Sequence, residues 1–436
     1  MSSLLIYILF VVLPFVLIAT IYLFWQGRKS RIAKRKWHQA ETDGMTEPVS
    51  LHPVIDPNKC LGCATCVYAC PEGEILGLVK RKAALVSPSS CIGHGACKDA
   101  CPMGAISLVF GTATRGIEIP RLNSDFETSV PGIFISGELG GMGLIKNAIA
   151  QGQQAVNAIA KKRKSHPSLP LDLVIVGAGP AGLSAALAAK EKKLRYVILE
   201  QEDTIGGTIA HYPRGKVVMT RPAVLPVVGK FQFREASKET LIEFWQSVVK
   251  NSKLKIMTKQ RVEHIEGNDK GIKVKTANKE FVTGSVLLAM GRRGTPRKLG
   301  VPGEDLPKVV YRLTDPEQYM NRHVLVVGGG DSALEAALAI AEQDGTTTTL
   351  SYRSEAFSRA KAKNRDRVSL LQQQGRLNVL LKSNIIGIAP DSVAIETEKG
   401  PRKIKNESII VCAGGVLPTP FLKKIGIHVE EKFGTL

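Results

Sequence analysis

A chain of 436 residues has room for two or three domains with cores of their own, and its composition is that of an ordinary globular protein. Seven of its eight cysteines fall between Cys60 and Cys101, which excludes a scattered disulfide framework and points to metal ligation. The net charge of +20 suits nucleic acid, an anionic membrane or an acidic protein, but no nucleic-acid motif accompanies it, so nucleic acid is not an expected partner.

From Leu4 to Trp25 no charged residue occurs, and a helix of that length crosses a bilayer core. Cleavable signal peptides carry positive charge ahead of the apolar run; here Arg28, Lys29, Arg31, Lys34, Arg35 and Lys36 follow it instead. By the positive-inside rule residues 1–36 form a single-pass anchor in the inner (cytoplasmic) membrane, with the N-terminus outside and the rest cytoplasmic. Part of the charge then meets anionic membrane lipid. A buried core helix is the alternative. Residues 37–55 read as a polar tether.

Cys60, Cys63, Cys66 and Cys70-Pro71 form a CxxCxxCxxxCP run, and Cys91, His94, Cys97 and Cys101-Pro102 repeat its spacing with histidine in second place. These runs resemble those of bacterial two-cluster ferredoxins, which implies a small α+β ferredoxin-like domain over residues 56–110. The resemblance also implies crossed ligation. Cys60, Cys63, Cys66 and Cys101 would hold one [4Fe–4S] cluster through four thiolates. Cys70, Cys91 and Cys97 would hold the other, a [4Fe–4S] cluster if His94 ligates or a [3Fe–4S] cluster if it does not. His94 has three readings: a ligand to the fourth iron, the mark of a three-iron cluster, or a loop filler. As a ligand it would raise that cluster's potential, because a neutral imidazole replaces an anionic thiolate.

The stretch GIEIPRLNSDFETSVPGIFISGELGGMGLIKNAIAQGQQAVNAIA, residues 116–160, resembles the segment that closes the flavin domain in thioredoxin-reductase-like flavoproteins. That likeness implies that Gly137 and Glu138 meet the flavin, Glu138 standing where the relatives carry Asp. A plain linker strand and helix is the alternative. In the relatives this segment ends the chain, whereas here it precedes the first glycine turn. The chain's own end stops where the relatives continue into it. The order implies a circular permutation: residues 111–165 complete a flavin domain whose remainder is 166–300 and 414–436, with a new join over 161–170.

Asp172 to Glu200 carries that first turn. An apolar run meets Gly177, Gly179 and Gly182 in GxGxxG spacing, with Pro180 and Ala181 between them, then a helix of small residues and a second apolar run ending on Glu200. This is a dinucleotide-binding βαβ unit. Its glycines allow a tight turn and close approach to a pyrophosphate at a helix N-terminus, and its acid is placed for a ribose hydroxyl. A bare Gly-rich turn is the alternative. Thr204 to Ile209, with Gly206 and Gly207, matches the family's second flavin loop, and the buried run from Val286 ends at Gly291.

The motif recurs in VLVVGGGDSALEAALAIAEQD from Val324, with Gly328, Gly330 and Ala333 at the turn and Asp331 and Ser332 opening the helix. Residues 301–413 therefore read as an NAD(P)-binding domain. At the end of its next strand Tyr352 and Arg353 stand where an acid would, followed by Arg359 and Lys361. Arginine there favours the 2′-phosphate of NADP, with NAD the alternative and a solvated charged face the plain one.

The expected fold class is α/β: two Rossmann-like nucleotide-binding domains, for FAD and NAD(P), with the ferredoxin-like domain and one transmembrane helix. Thioredoxin reductases pass flavin electrons to a CxxC dithiol, and this chain has no cysteine between Val324 and Ser351 or near Gly206; Cys412 stands alone. The resemblance thus implies an NAD(P)H:acceptor oxidoreductase exchanging electrons through FAD and the clusters with a ferredoxin, cytochrome or quinone system. No residue is expected to act as nucleophile or general acid. A flavin-centred reductase of a small molecule and a non-catalytic redox-sensing subunit are the alternatives. A homodimer is left open.

Overall fold

The end of the apolar run and its basic flank form one helix, Leu13–Thr42, in the computed structural model. The structure describes residues 12–42, 45–48, 51–141, 143–162, 169–220, 222–268, 271–292 and 294–434. They fall into two units, up to Thr114 together with Gly434, and Arg115–Phe433.

In the first unit the later part of the helix lies on the hairpin formed by Leu76–Val79 and Lys82–Leu85. Ala33 is buried there beside Val79 and Val86, with Trp37 packed against them. Upstream, the large apolar side chains from Val12 to Trp25 are 40–74% exposed. Among the described residues no helix is long and apolar enough to cross a membrane. Leu4 to Val11 of the expected span lie outside the described residues. The tether expected over 37–55 is shorter than that. The helix runs on to Thr42, and His52–Ile55 pairs antiparallel with Ile106–Val109. Packing of Trp37 and Ala40 holds a polar sequence helical, as tertiary contact commonly does.

The second unit is built on a seven-stranded mixed sheet and a five-stranded parallel one. In the first, Leu171–Val176 lies between Tyr196–Leu199 and Glu280–Leu288, and the far half of the latter also pairs in parallel with Ile133–Ile135. A strand from before the glycine turn thus completes the sheet that the turn belongs to. The helix after it, Ile145–Lys162, packs on Pro180–Glu191, where Gly152 lies against Ala181 and Ala185. At the other edge of this upstream segment, Ile117–Pro120 pairs antiparallel with Val429–Lys432, so that Ile117 lies opposite Lys432.

The second sheet has the order Val309–Val310, Ser408–Val411, His323–Val327, Thr347–Ser351, Leu377–Leu380, all parallel. Each sheet buries an apolar run ending in a glycine turn and followed by a helix of small residues. The expected α/β class with a ferredoxin-like unit is what the chain adopts. Residues 163–168 of the expected join lie outside the described residues.

At Gly152 the two packed helices leave no room for a side chain: a Cβ there would collide with the backbone carbonyl of Ala181. Gly152→Ala is therefore expected to destabilise the second unit by about 1–3 kcal/mol, despite alanine's better helix propensity. Chemical denaturation of the FAD-loaded protein checks this, and an unchanged midpoint would contradict the packing described.

Candidate functional site

The first glycine turn is built by exclusion. Gly177 has φ +106°, and a Cβ on it would lie 2.6 Å from the carbonyl oxygen of Ala289; one on Gly182 would strike the carbonyl of Gly177. Gly179 differs, because its nearest neighbour on that side is the Cα of Gly207 at 3.7 Å. The second predicted loop thus meets the first, and the Gly206 amide donates to the Ala178 carbonyl at 2.9 Å. Together they leave bare backbone facing the start of Pro180–Glu191, a cradle that suits a pyrophosphate.

Glu200 is buried beneath this cradle. Its Oε2 accepts from the Ala178 amide at 2.6 Å and its Oε1 from the Glu202 amide at 3.0 Å. The carboxylate expected at a ribose thus braces the turn itself, and with about four acceptor positions it keeps capacity for a hydroxyl. Gly137 and Glu138 stand in a short turn of the upstream segment, where the Gly137 amide donates to Gln151 Oε1 at 2.8 Å. A Cβ on Gly137 would lie 3.1 Å from that of Ala181, so the upstream segment does reach the turn. Gly291 has φ +70° with open space on its side-chain face.

Two residues here escaped the sequence reading. Gln151, a buried amide on a helix face of small residues, holds the Gly137 loop; its polarity among alanines was the available signal. Arg292 follows Gly291 and donates to the Glu118 carbonyl at 3.0 Å. Burial pulls its pKa below the ordinary arginine value, which nearby Glu138 opposes and Arg115 reinforces.

The second turn repeats the first. A Cβ on Gly328, φ +145°, would collide with the Cys412 carbonyl, the counterpart of Ala289, while Gly330 has open space. Asp331 Oδ1 accepts from the Lys361 amide and from Asn364 Nδ2, both at 2.8 Å, which ties the helix start to the loop carrying the basic residues. Ser332, Arg353, Arg359 and Lys361 are exposed. The Tyr352 ring covers Gly329 and stacks on Phe357, centroids 5.6 Å apart.

In the first unit the cysteines form the two crossed groups expected from the ferredoxin pattern. Cys60, Cys63, Cys66 and Cys101 line one hollow, backed by Ile55, Ala83 and Ile106. Burial, then the thiols of Cys60, Cys101 and Cys63, push the Cys66 thiol up to about 11. The Ala83 amide reaches Cys60 Sγ at 3.4 Å and the Ala105 amide Cys101 Sγ at 3.3 Å, contacts that suit thiolate sulfur. Burial likewise raises Cys91 and Cys97, and Cys70 is near enough to add to both.

His94 occupies the place of Cys63 in the second run. Each precedes a left-handed residue, Ala64 at φ 63° or Gly95 at φ 80°, that opens a short helix bearing Cys66 or Cys97. Its Nε2 lies 3.7 Å from Glu72 Oε1, both side chains being mostly buried. Among the described residues no three His, Cys, Asp or Glu side chains converge on a single metal ion. Cys60, Cys63, Cys66 and Cys101 border a hollow instead.

Two successive nucleotide folds joined to a dicluster unit define a pyridine-nucleotide flavoprotein with iron–sulfur centres. The family described as pyridine nucleotide-disulphide oxidoreductase matches residues 174–435, and a 4Fe-4S dicluster domain matches residues 52–102. The chain belongs to the pyridine nucleotide-disulphide oxidoreductase family and is an NAD(P)H-dependent oxidoreductase. It is 31% identical over 279 residues to a ferredoxin–NADP reductase of Picrophilus torridus, covering 61% of this chain and 80% of the relative. It is 26% identical over 267 residues to the bacilliredoxin reductase Bdr of Bacillus subtilis, covering 60% and 82%. The bacillithiol disulfide reductase Bdr (YpdA) of Staphylococcus aureus shares the fold, with a TM-score of 0.53 at 23% identity over 60% of this chain and 81% of that one.

The crossed grouping makes a separable prediction. Cys97→Ala should remove the cluster of Cys70 and Cys91 while the one at Cys60 survives, because the sets share no cysteine. Iron analysis with EPR checks it; loss of both signals in a folded protein would contradict two independent sets.

Proposed function

We propose that this chain is a membrane-anchored, NADPH-dependent flavin and iron–sulfur oxidoreductase that exchanges electrons with a ferredoxin-type or other one-electron partner through its own two clusters. One observation carries the proposal: two crossed cysteine groups share a chain with two nucleotide turns, and the dithiol used by thioredoxin reductases is missing. FAD at the first turn would supply the conversion between a hydride and single electrons. The chain's residues bind and orient. Gly177, Gly179, Gly182, Gly206 and Gly207 let backbone approach the pyrophosphate, with the amides at the start of Pro180–Glu191 as donors. Glu200 fixes the turn. Glu138 and Gly137, held by Gln151, border the ribityl side, and half-buried Arg292 sets the local charge. Gly328, Gly330, Asp331 and Ser332 form the nicotinamide-nucleotide turn, where exposed Arg353 and Arg359 await the 2′-phosphate. His94 serves as the second set's imidazole ligand.

The reading includes a circular permutation, supported by the pairing of Lys432 with Ile117, since a short link between these strands would restore the relatives' order as a hairpin. The alignments cover 80–83% of the relatives' length and 60–61% of this chain, as they would if one segment had moved. The anchor, with the redox units on the cytoplasmic side, rests on the exposed apolar side chains of Val12 to Trp25 and the basic flank after them.

Anaerobic rapid mixing with NADPH is the test. Flavin bleaching followed by loss of cluster absorbance is expected. A bleached flavin with clusters still oxidised would favour a flavin-centred reductase of a small molecule, and no bleaching by NADPH or NADH would favour a redox sensor. Arg353→Ala should raise KM for NADPH roughly 10- to 100-fold, the worth of a charged hydrogen bond, and leave KM for NADH nearly unchanged. Equal losses for both nucleotides would remove the arginine from the 2′-phosphate site.

A further inference from the structure

The Leu13–Thr42 helix runs antiparallel to the Leu76–Val79 strand on which it rests. Lys36 pairs with Glu74, a Cβ on Gly77 would lie 2.7 Å from that of Ala33, and Ser30 Oγ donates to the Leu78 carbonyl at 3.1 Å. Travelling toward the helix N-terminus is therefore travelling toward the tip of the hairpin, Lys80 and Arg81. Two to three strand residues beyond Leu78 advance about 7–10 Å, equal to roughly five to seven residues of helix. The tip then stands near the level of Trp25, where the helix surface becomes apolar and exposed. Tyr68 belongs to the same end, since Lys29 Nζ donates to its hydroxyl at 3.2 Å.

The Cys60 group lies at this end too. Gly62 is pressed against the backbone of Arg81, where a Cβ would collide with the carbonyl, and Lys82 Nζ donates to the Cys60 carbonyl at 2.6 Å. The surface around it is basic and apolar at once. Lys59, Lys80, Arg81 and Lys82 are exposed, and so are Leu61, Tyr68 and Met103, at 70%, 70% and 46%. Lys80 and Arg81 also hold φ of 50° and 63°. A two-residue hairpin turn of that kind ordinarily carries Asn-Gly, and here it presents two cations instead.

We propose that this end of the ferredoxin-like unit lies against an anionic bilayer, with Lys59, Lys80 and Arg81 at the headgroups and Leu61, Tyr68 and Met103 in the interface. The Cys60–Cys63–Cys66–Cys101 group then faces the membrane rather than open solution. The proposal rests on the anchor reading above. Basic charge alone would equally suit an acidic protein. Here, however, the patch stands at the level where the apolar part of a firmly packed helix begins, so the bilayer that takes the helix also meets the patch.

Hydrogen exchange of the full holoprotein in nanodiscs of phosphatidylcholine, with and without phosphatidylglycerol, tests it. Residues 59–64 and 79–83 are expected to exchange roughly tenfold more slowly in the anionic discs, and residues 12–25 to be protected in both. The double variant Lys80→Asn, Arg81→Asn removes the charges at positions where asparagine tolerates the left-handed backbone, and should abolish the difference between discs. Equal exchange in both discs with residues 12–25 protected would overturn the face and leave the anchor standing. Unprotected 12–25 would overturn the anchor and the face with it. Protection of 59–64 only on adding a plant-type [2Fe–2S] ferredoxin, an acidic probe, would make the patch a protein dock and overturn the lipid assignment.

Discussion

The contact on which the second unit depends is the approach of Gly152 to the carbonyl of Ala181. It brings the Ile145–Lys162 helix onto the helix that opens at the first glycine turn, at a distance that leaves no room for a methyl group. With it come Gln151, which holds the Gly137 loop, and the Ile133–Ile135 strand, which completes the sheet. Small residues on both helix faces are the sequence's means to this end. Larger ones would separate the helices and move the Gly137 loop away from Ala181 at the first turn.

The two nucleotide folds obey one rule with different residues. At each turn the first glycine backs onto a carbonyl at the end of the neighbouring strand, of Ala289 in one and of Cys412 in the other. The supports beyond that differ. Glu200 holds its turn through a backbone amide, whereas Asp331 holds the second through Lys361 and Asn364 on the loop with the arginines. The acid that would meet a ribose has thus given way in the second fold to a tyrosine lying over the turn. In the first unit, burial and mutual repulsion hold proton affinity high on Cys66, Cys91 and Cys97. Such thiols are poor nucleophiles but, once deprotonated by metal, suitable ligands.

Features resting on local chemistry were legible from the sequence. The resemblance of the cysteine runs to those of two-cluster ferredoxins implied both crossed groups, and the glycine spacing gave both turns, because a glycine turn is a short-range constraint on backbone geometry. Segment order was enough to suggest that residues 116–160 fold beside Gly177, and the Ile133–Ile135 strand does so. What packing decides was hidden. Residues 37–42 are polar enough to read as a tether, yet Trp37 and Ala40 fasten them as helix. The partners of Glu200 could not be foreseen, since a buried carboxylate takes whichever amides the fold presents. Glu72 gave no signal of its own, because its place beside His94 comes from the meeting of two cysteine runs.

The central claim is that one flavin-binding fold is assembled from chain on both sides of the join over residues 161–170. Its most direct test is to rewire the chain, placing residues 116–160 directly after residue 433 in a protein that begins at residue 169, and to measure FAD content and reduction by NADPH. The rewired protein should retain FAD and be reduced, while residues 169–433 alone should purify without flavin. Full FAD binding by residues 169–433 without the segment would contradict the account.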